Sequence, residues 1–256
     1  MTDPLLLLHG FSQTAASFDH LRRALRAHGL GSDALDLPGH GAGSGPAHLV
    51  SGDLWLGAEA LVAAGHRGVW FGYSMGARLA LHVALARPEA VDGLVLLGGT
   101  AGIEDPVERA ARRAADAASA DRIERDGLES FLHEWLAQPL FATLPADPDR
   151  IARRATNHAA GVASSLRRWG TGTMDPPLWG RLAEIAAPTL VLAGSLDTKF
   201  TDLGRRLAAG IGPNARIATV ADAGHAAHLE RPGVVARLVA DWLDDRDPTA
   251  EANNGR

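Results

Sequence analysis

The residue pattern predicts an α/β fold, a mostly parallel sheet with a helical segment inserted after its fourth strand. Three observations carry this. Short apolar runs alternate with helix-period patterns in the first hundred residues and again after residue 188. Between 101 and 187 the alternation stops, and only Ala/Arg-rich helical patterns broken by prolines appear. At Val69–Arg78 an apolar run breaks into Gly72-Tyr73-Ser74-Met75-Gly76 and passes directly into a helical pattern.

Taken in order, Leu5–Leu8 is a continuous apolar run, as expected for a strand buried on both faces, and it ends in His9-Gly10-Phe11-Ser12. A helix follows over about Ala15–Arg26, closed by Gly29. Ala34–Leu37 is a second short strand, ending in a glycine-rich run from Pro38 to Gly45. That run lacks the Gly-Lys-Ser/Thr ending of a phosphate-binding loop, and the next helix starts only near Gly52. Leu54–Ala64 is helical. Val69, Trp70 and Phe71 then lead into the Gly-x-Ser-x-Gly turn, and Leu79, Leu81, Val83 and Ala84 form the helix after it, stopped by Pro88. Leu94–Leu97 is a buried strand followed by Gly98-Gly99-Thr100. In the insertion, Leu128, Phe131, Leu132, Trp135 and Leu136 share one helical face that ends at Pro139. The alternation resumes with strand Thr189–Ala193, a helix near Leu203–Ala209, strand Arg216–Val220 and a last helix Val234–Leu243. The reading divides the chain into a core of 1–100 and 188–246, an inserted lid of 101–187, and a polar, disordered tail of 247–256.

Composition narrows the function classes. The chain has 256 residues, 46% of them hydrophobic, and a net charge of −5, which argues against a nucleic-acid partner. The absence of cysteine removes disulfides, thiolate metal sites and a cysteine nucleophile. Met1-Thr2-Asp3-Pro4 carries no basic region and Leu5–Leu8 is too short for a signal peptide or a membrane span, so a soluble cytoplasmic protein is expected. Basic residues are almost all arginine, Lys199 being the only lysine.

Ligands of parallel sheets gather at the carboxyl ends of the strands, and three polar residues fall there. Ser74 follows the third strand, Asp197 the fifth and His225 the sixth, in the chain order Ser…Asp…His. A neutral histidine near Ser74 would take its proton, and a carboxylate behind it would fix the tautomer and stabilise the imidazolium. To present its hydroxyl from the bend, Ser74 must hold a strained backbone, which needs glycine two residues before and after. Each residue has a plainer alternative: an idle serine in a glycine-rich turn, Asp197 as a helix cap, His225 as a loop histidine. His228 either competes for the base role, pairs with His225 on a metal, or is structural; without a visible third ligand the structural role is expected, and no cofactor or metal is implied. Backbone N–H groups of Phe11 and Met75 would form an oxyanion hole, leaving the Phe11 side chain free to pack the lid. Arg78, one helical turn after Ser74, favours a substrate with an anionic group, since arginine grips a carboxylate in two places. Lys199 beside Asp197 either makes an ion pair or meets substrate.

With these residues in place, the chain resembles the α/β-hydrolase superfamily and, within it, the 2-succinyl-6-hydroxy-2,4-cyclohexadiene-1-carboxylate synthases of menaquinone biosynthesis. The resemblance covers about Leu5–Leu243. It rests on Leu8-His9-Gly10-Phe11, Asp36-Leu37-Pro38-Gly39-His40-Gly41, Gly72–Gly76 with Arg78, and Asp197-Thr198-Lys199-Phe200. Glu108-Arg109…Arg112, Trp135–Phe141, Arg154…Asn157…Gly161, Ser165–Gly172 and Gly224-His225…His228-Leu229-Glu230 extend it. It implies elimination of pyruvate from a cyclohexene bearing three carboxylates, a small polyanion held by Arg78, Arg112 and Arg154, with Arg167 as a further candidate. Tyr73 and Trp135 would line the pocket, or, for Trp135, simply pack the lid. Ser74, deprotonated through His225, would remove a proton next to the succinyl ketone while the enolate oxygen rests in the oxyanion hole. The chain departs from the superfamily in lacking the two strands that commonly open the sheet, in Ala77 where a second glycine is usual, and in Thr173–Trp179, which lacks the Gln-Pro often found near there. Two other readings stand beside the lyase: a serine hydrolase for a small carboxylated ester or thioester, and a catalytically silent binding scaffold.

Overall fold

The structure is a computed structural model that describes residues 4–41 and 49–246. The 247–256 tail and the glycine-rich run after Gly41 lie outside the described residues. The strands are β1 (Leu5–Leu8), β2 (Ser32–Leu35), β3 (Gly68–Tyr73), β4 (Val91–Leu97), β5 (Thr189–Gly194) and β6 (Ala215–Val220). They form a six-stranded sheet in the order β2-β1-β3-β4-β5-β6, and every neighbouring pair is parallel. The helices of the first half are α1 (Asp19–Ala27), α2 (Leu54–Ala63) and α3 (Met75–Ala86). Between β4 and β5 lie α4 (Pro106–Asp126), α5 (Leu128–Leu136), α6 (Arg150–Ala155) and α7 (Ala159–Trp169), with short 3-10 turns. The chain closes with α8 (Thr198–Ile211), the single-turn α9 (Ala227–Glu230) and α10 (Pro232–Asp244).

Alternation along the strands divides the core between the two faces of the sheet. Leu6, Leu8, Trp70, Leu94, Leu96 and Val191 face α2, α3 and α8. Leu5, Leu7, Phe71, Val95, Leu97, Leu190 and Leu192 face α1 and α10. A third cluster, built from Ile123, Leu128, Phe131, Leu132, Val162 and Leu166, belongs to the insertion, and Phe11 packs against both it and the first face. The insertion therefore has an apolar centre of its own and touches the sheet above the end of β1.

Register brings the strand ends level: Leu8 pairs with Gly72, Tyr73 with Leu97, and Leu97 with Leu192. The chain runs from β1 outward to β2 and then returns to the other side of β1 as β3. The loops after β1 and β3 consequently diverge, opening a crevice at the carboxyl edge. Three boundaries differ from the sequence reading, the first being β4, which starts at Val91 rather than Leu94 because Asp92 and Gly93 interrupt the apolar run without ending the strand. β2 lies at 32–35 rather than 34–37, because the ladder with β1 pairs Leu5 with Ser32 and Leu8 with Leu35 on a half-buried edge, where apolar content is a poor guide. Leu37 is buried beyond the strand, its N–H donating to His9 Nε2 at 3.1 Å. Helix α8 starts earlier than its apolar pattern, at Thr198, because the Asp197 side chain caps it.

Candidate active site

Ser74 stands between β3 and α3 at φ 52°, ψ −103°, a left-handed conformation for a residue with a side chain. Both flanking glycines are required by contact. A Cβ on Gly72 would lie 2.4 Å from the Gly76 carbonyl oxygen, and one on Gly76 would lie 2.1 Å from the carbonyl oxygen of Leu8. The Ser74 N–H donates to Leu97 O at 2.9 Å and the Gly76 N–H to His9 O at 3.1 Å, tying the bend to β4 and to the loop after β1.

His225 lies 3.3 Å from Ser74 Oγ through Nε2 and 2.9 Å from Asp197 Oδ2 through Nδ1. A carboxylate can only accept, so Nδ1 carries the proton and the Nε2 lone pair faces the serine hydroxyl. The other oxygen of Asp197 accepts from the Phe200 N–H at 3.2 Å. The capping role and the partnership with histidine, alternatives in the sequence, are filled together by the two oxygens of one carboxylate. Phe200 and Tyr73 shield the imidazole, with ring centroids 4.2 and 5.4 Å away.

A cavity of about 550 Å³ opens over this group, and Ser74, His225, Phe11, Tyr73, Met75 and Trp135 all line it. Its charged lining is Arg78, Arg112, Arg154 and Lys199 against the single acid Asp116. The chain's negative balance is thus locally reversed. Arg78 is 8% exposed, donates from Nη2 to Trp169 O at 2.7 Å and leaves Nε without a partner. Burial pulls its pKa down to about 10. Arg154, also buried and also lowered to about 10 by burial, donates to Ser12 Oγ at 2.7 Å. Arg112 pairs with Asp116 at 2.8 Å, and burial raises the pKa of that acid. A second cavity, of about 650 Å³ on another side of Arg154 and Gln13, is lined by none of Ser74, Asp197 and His225.

Residues 5–238 match the model of the Alpha/beta hydrolase family. The chain belongs to that family. A protein of Serratia proteamaculans (strain 568) named 2-succinyl-6-hydroxy-2,4-cyclohexadiene-1-carboxylate synthase is 35% identical over 215 residues, 82% of each chain. One of Salmonella typhimurium (strain LT2) with the same name is 32% identical over 246 residues, 94% of each chain. Among solved structures, that of MenH from S. aureus superposes with a TM-score of 0.84 at 28% identity, covering 96% of this chain and 95% of that one. The family expected from the sequence, and its resemblance to these synthases, both hold.

As an alpha/beta hydrolase the chain places its remaining sequence-derived candidates unequally. Arg167 does not line the cavity; it turns outward to Glu124 and Asp121 of α4, at 2.7 and 2.6 Å. Leu166 and Val162 occupy the inner side of α7, so Arg167 falls on the outer side opposite those acids. Lys199 stays exposed at the cavity wall, its Nζ 5.9 Å from the Phe200 ring centroid. Trp135 has both roles considered for it, lining the cavity while stacking on Phe131 at 5.7 Å. His228 is fully buried between Phe18 and Tyr73, with its pKa pushed down by burial. Among the described residues no group of three His, Cys, Asp or Glu could hold a metal ion. Arg109 and Arg113 of α4 instead anchor the Thr173–Trp179 segment through Asp175.

Several residues support this geometry in roles the sequence did not assign to them. Glu230 accepts from the N–H groups of Gly224 and Ala226, at 2.7 and 3.1 Å, fixing the backbone on both sides of His225. Gly98 leaves the room that ring needs, since a Cβ there would come within 2.9 Å of His225 Cε1. His9 and His40 each accept a backbone N–H through Nε2, from Leu37 and Ser12, and each donates from Nδ1 to a carbonyl. Burial holds them neutral, with pKa values pushed down to about 4 and about 3. The signal for Glu230 was its five-residue spacing from His225; for the histidine pair the only signal was their glycine neighbours.

Proposed function

We propose that this protein is a 2-succinyl-6-hydroxy-2,4-cyclohexadiene-1-carboxylate synthase, a carbon–oxygen lyase. It eliminates pyruvate from 2-succinyl-5-enolpyruvyl-6-hydroxy-3-cyclohexene-1-carboxylate in menaquinone biosynthesis. The observation that carries the reading is the cluster of buried arginines over a serine already aligned with a histidine and an aspartate. A site for a neutral ester would gain nothing from two guanidinium groups held out of water, whereas a polycarboxylate needs them.

Ser74 transfers its proton to His225 Nε2 while Asp197 stabilises the imidazolium. The serine oxygen removes the ring proton next to the succinyl ketone, and that C–H bond's electron pair forms the enolate. The enolate oxygen lies against the Phe11 and Met75 N–H groups, at the start of α3 where first-turn amides have no intrahelical acceptor. As the enolate collapses, its electrons shift through the ring double bond and break the bond to the enolpyruvyl oxygen. The group departs as the enolate of pyruvate, whose methylene carbon takes the proton held by His225; this gives pyruvate, restores the neutral imidazole and leaves the cyclohexadiene. Arg78, Arg112 and Arg154 hold the carboxylates, Tyr73 and Trp135 shape the walls, and residues 101–187 act as the lid over the 1–100 and 188–246 core. No cofactor or metal enters this scheme. Among the described residues no helix is long and apolar enough to cross a membrane, and the reading takes the enzyme as cytoplasmic.

Incubation with the enolpyruvyl cyclohexene and, separately, with a generic aryl ester tests this. Rapid pyruvate release, abolished in Ser74→Ala, with negligible ester cleavage is expected. Ester cleavage without pyruvate would make it a serine hydrolase, a reading the complete Ser-His-Asp geometry also supports; binding without turnover of either would make it a scaffold.

A further inference from the structure

The loop after β1 contains a conformation that sequence rules disfavour. Ser12, directly after Phe11, has φ 59° and is fully buried. Gln13 N–H donates to Gly10 O at 3.1 Å, so Gly10–Gln13 is a turn with Phe11 and Ser12 as its central residues. Positive φ at the third position of such a turn ordinarily calls for glycine or asparagine. A serine is held there when surrounding contacts over-determine it.

They do so at every polar atom. The Ser12 N–H donates to His40 Nε2 at 3.1 Å. Its carbonyl accepts from Asn157 Nδ2 at 3.1 Å, and its hydroxyl accepts from Arg154 Nη1 at 2.7 Å. Asn157 is itself fixed, because its Oδ1 accepts from the Gly41 N–H at 2.6 Å while Nδ2 also donates to Arg154 O at 2.8 Å. Two of the three partners come from the insertion, and one of those, Arg154, lines the cavity. Ser12 does not line it.

We propose that Ser12 is a positioning residue through which the helical insertion, by way of Asn157 and Arg154, sets the angle of the Phe11 N–H in the oxyanion hole. The inference rests on the oxyanion role given to Phe11 above. The Gln13 N–H bond to Gly10 O closes the turn, and Gly10 O shares one rigid peptide plane with the Phe11 N–H, so a shift at Ser12 passes round the closed turn to that donor. Holding Ser12 at both ends of its backbone keeps the donor aimed before any negative charge forms. Because the same guanidinium faces the ligand, a carboxylate settling on Arg154 is felt at the hole.

Two variants test this, and urea unfolding of each checks that it is folded. Ser12→Gly fits the positive φ and removes only the hydroxyl that Arg154 holds. Asn157→Asp keeps the acceptor for Gly41 but turns a carboxylate oxygen, instead of a donor, toward the Ser12 carbonyl. Phenylboronic acid reads the hole without the substrate: Ser74 Oγ adds to boron, its proton passes to His225, and the tetrahedral anion places an oxygen in the hole. Losing an oxyanion donor outright costs roughly 10²–10³-fold, so a mis-aimed one should raise the phenylboronate Kd about 10-fold in both variants. In Asn157→Asp, kcat for pyruvate release should fall about 10–100-fold with KM within about threefold. Phenylboronate affinity within about threefold of wild type in both variants overturns the proposal, as does binding to Ser74→Ala equal to wild type. Should the wild-type protein release no pyruvate, the lyase reading fails, while the boronate series still decides the role of Ser12.

Discussion

Replacing Arg78 with methionine should separate activity from stability. Methionine approximates the length of the arginine stem and fills the same space, so the perturbation is chiefly loss of charge. Burial lowers the arginine's pKa from 12.5 to about 10. At neutral pH, below the folded value, the charged form is thus disfavoured in the native protein by about 3 kcal/mol. Methionine removes that penalty. Against it stands the Trp169 carbonyl, which loses a 2.7 Å charge-assisted bond and costs about 1–3 kcal/mol if left buried and unpaired. The two nearly cancel, and the folded state should be unchanged or more stable by up to about 2 kcal/mol. Activity should move much further. A guanidinium–carboxylate contact in a dry site contributes about 1.5–3 kcal/mol, so kcat/KM for the polycarboxylate should drop roughly 10–150-fold. Urea unfolding gives the first quantity, and pyruvate release coupled to a reductase gives the second. An Arg78→Met protein that loses more than about 2 kcal/mol of stability, or keeps kcat/KM within about threefold, would refute the assignment of this charge to the ligand.

Four further outcomes follow from particular contacts. Gly76→Ala would drive its Cβ to 2.1 Å from the backbone of β1, which cannot rotate away, and should destabilise the protein by about 3 kcal/mol in urea unfolding. Gly233→Ala, with nothing near its Cβ, should instead be neutral or gain about 0.5 kcal/mol. Burial pushes His9 and the likewise buried His82 of α3 down to about 4 and His40 to about 3, so the unfolded chain binds protons that the native one refuses once pH falls below 6.5. Stability should be flat above that pH and fall by about 2 kcal/mol per histidine by pH 5; equal urea midpoints at pH 7 and pH 5 would contradict it. Arg167→Ala should leave kcat/KM within about twofold and stability within about 1 kcal/mol, because its partners are half-exposed acids of α4.

What could be read from the sequence was what local sterics or helical phase dictate. A serine aimed out of a strand-to-helix bend needs glycines on both sides, and Gly72 and Gly76 announced Ser74 for the reason the contacts give. Arg78 follows by one helical turn. Asp197 and His225 were legible because strand ends recur at predictable points and the polar residue just beyond each is conspicuous. Arg154 and Arg167 show the limit of such reasoning. Both are arginines of the insertion, and only the packing of Leu166 and Val162 sends Arg167 outward while Arg154 turns under Phe11. Edge strand β2 was displaced in the reading for the same reason, since its register is a property of β1 rather than of its own residues. Asn157 and Ser12 lie 145 positions apart, and nothing local in either predicts that they meet.

Burial and partner together set two arginines apart from the rest, and the difference bears on function. Many on the outer surface meet carboxylates, as Arg87 does Glu59, Arg125 Asp126, Arg205 Asp202 and Arg216 Asp245, while Arg22, Arg67 and Arg231 meet backbone carbonyls in reach of water. The two that are buried against the cavity are held by neutral dipoles instead, Arg78 by the Trp169 carbonyl and Arg154 by the Ser12 hydroxyl. A carbonyl or hydroxyl orients a guanidinium without cancelling its charge, so the positive potential remains directed at the cavity. Arg112 is the exception, paired with Asp116, yet burial raises the pKa of that acid and so weakens its hold as a counter-ion. Desolvated cations with incomplete counter-charge are unfavourable to folding when the site is empty and favourable only when an anion arrives. Succinate, which carries two carboxylates and no reacting bond, should therefore raise the Tm of the wild-type protein and do so far less in Arg78→Met. Equal shifts in the two proteins would mean that the buried charge serves the fold and not the ligand.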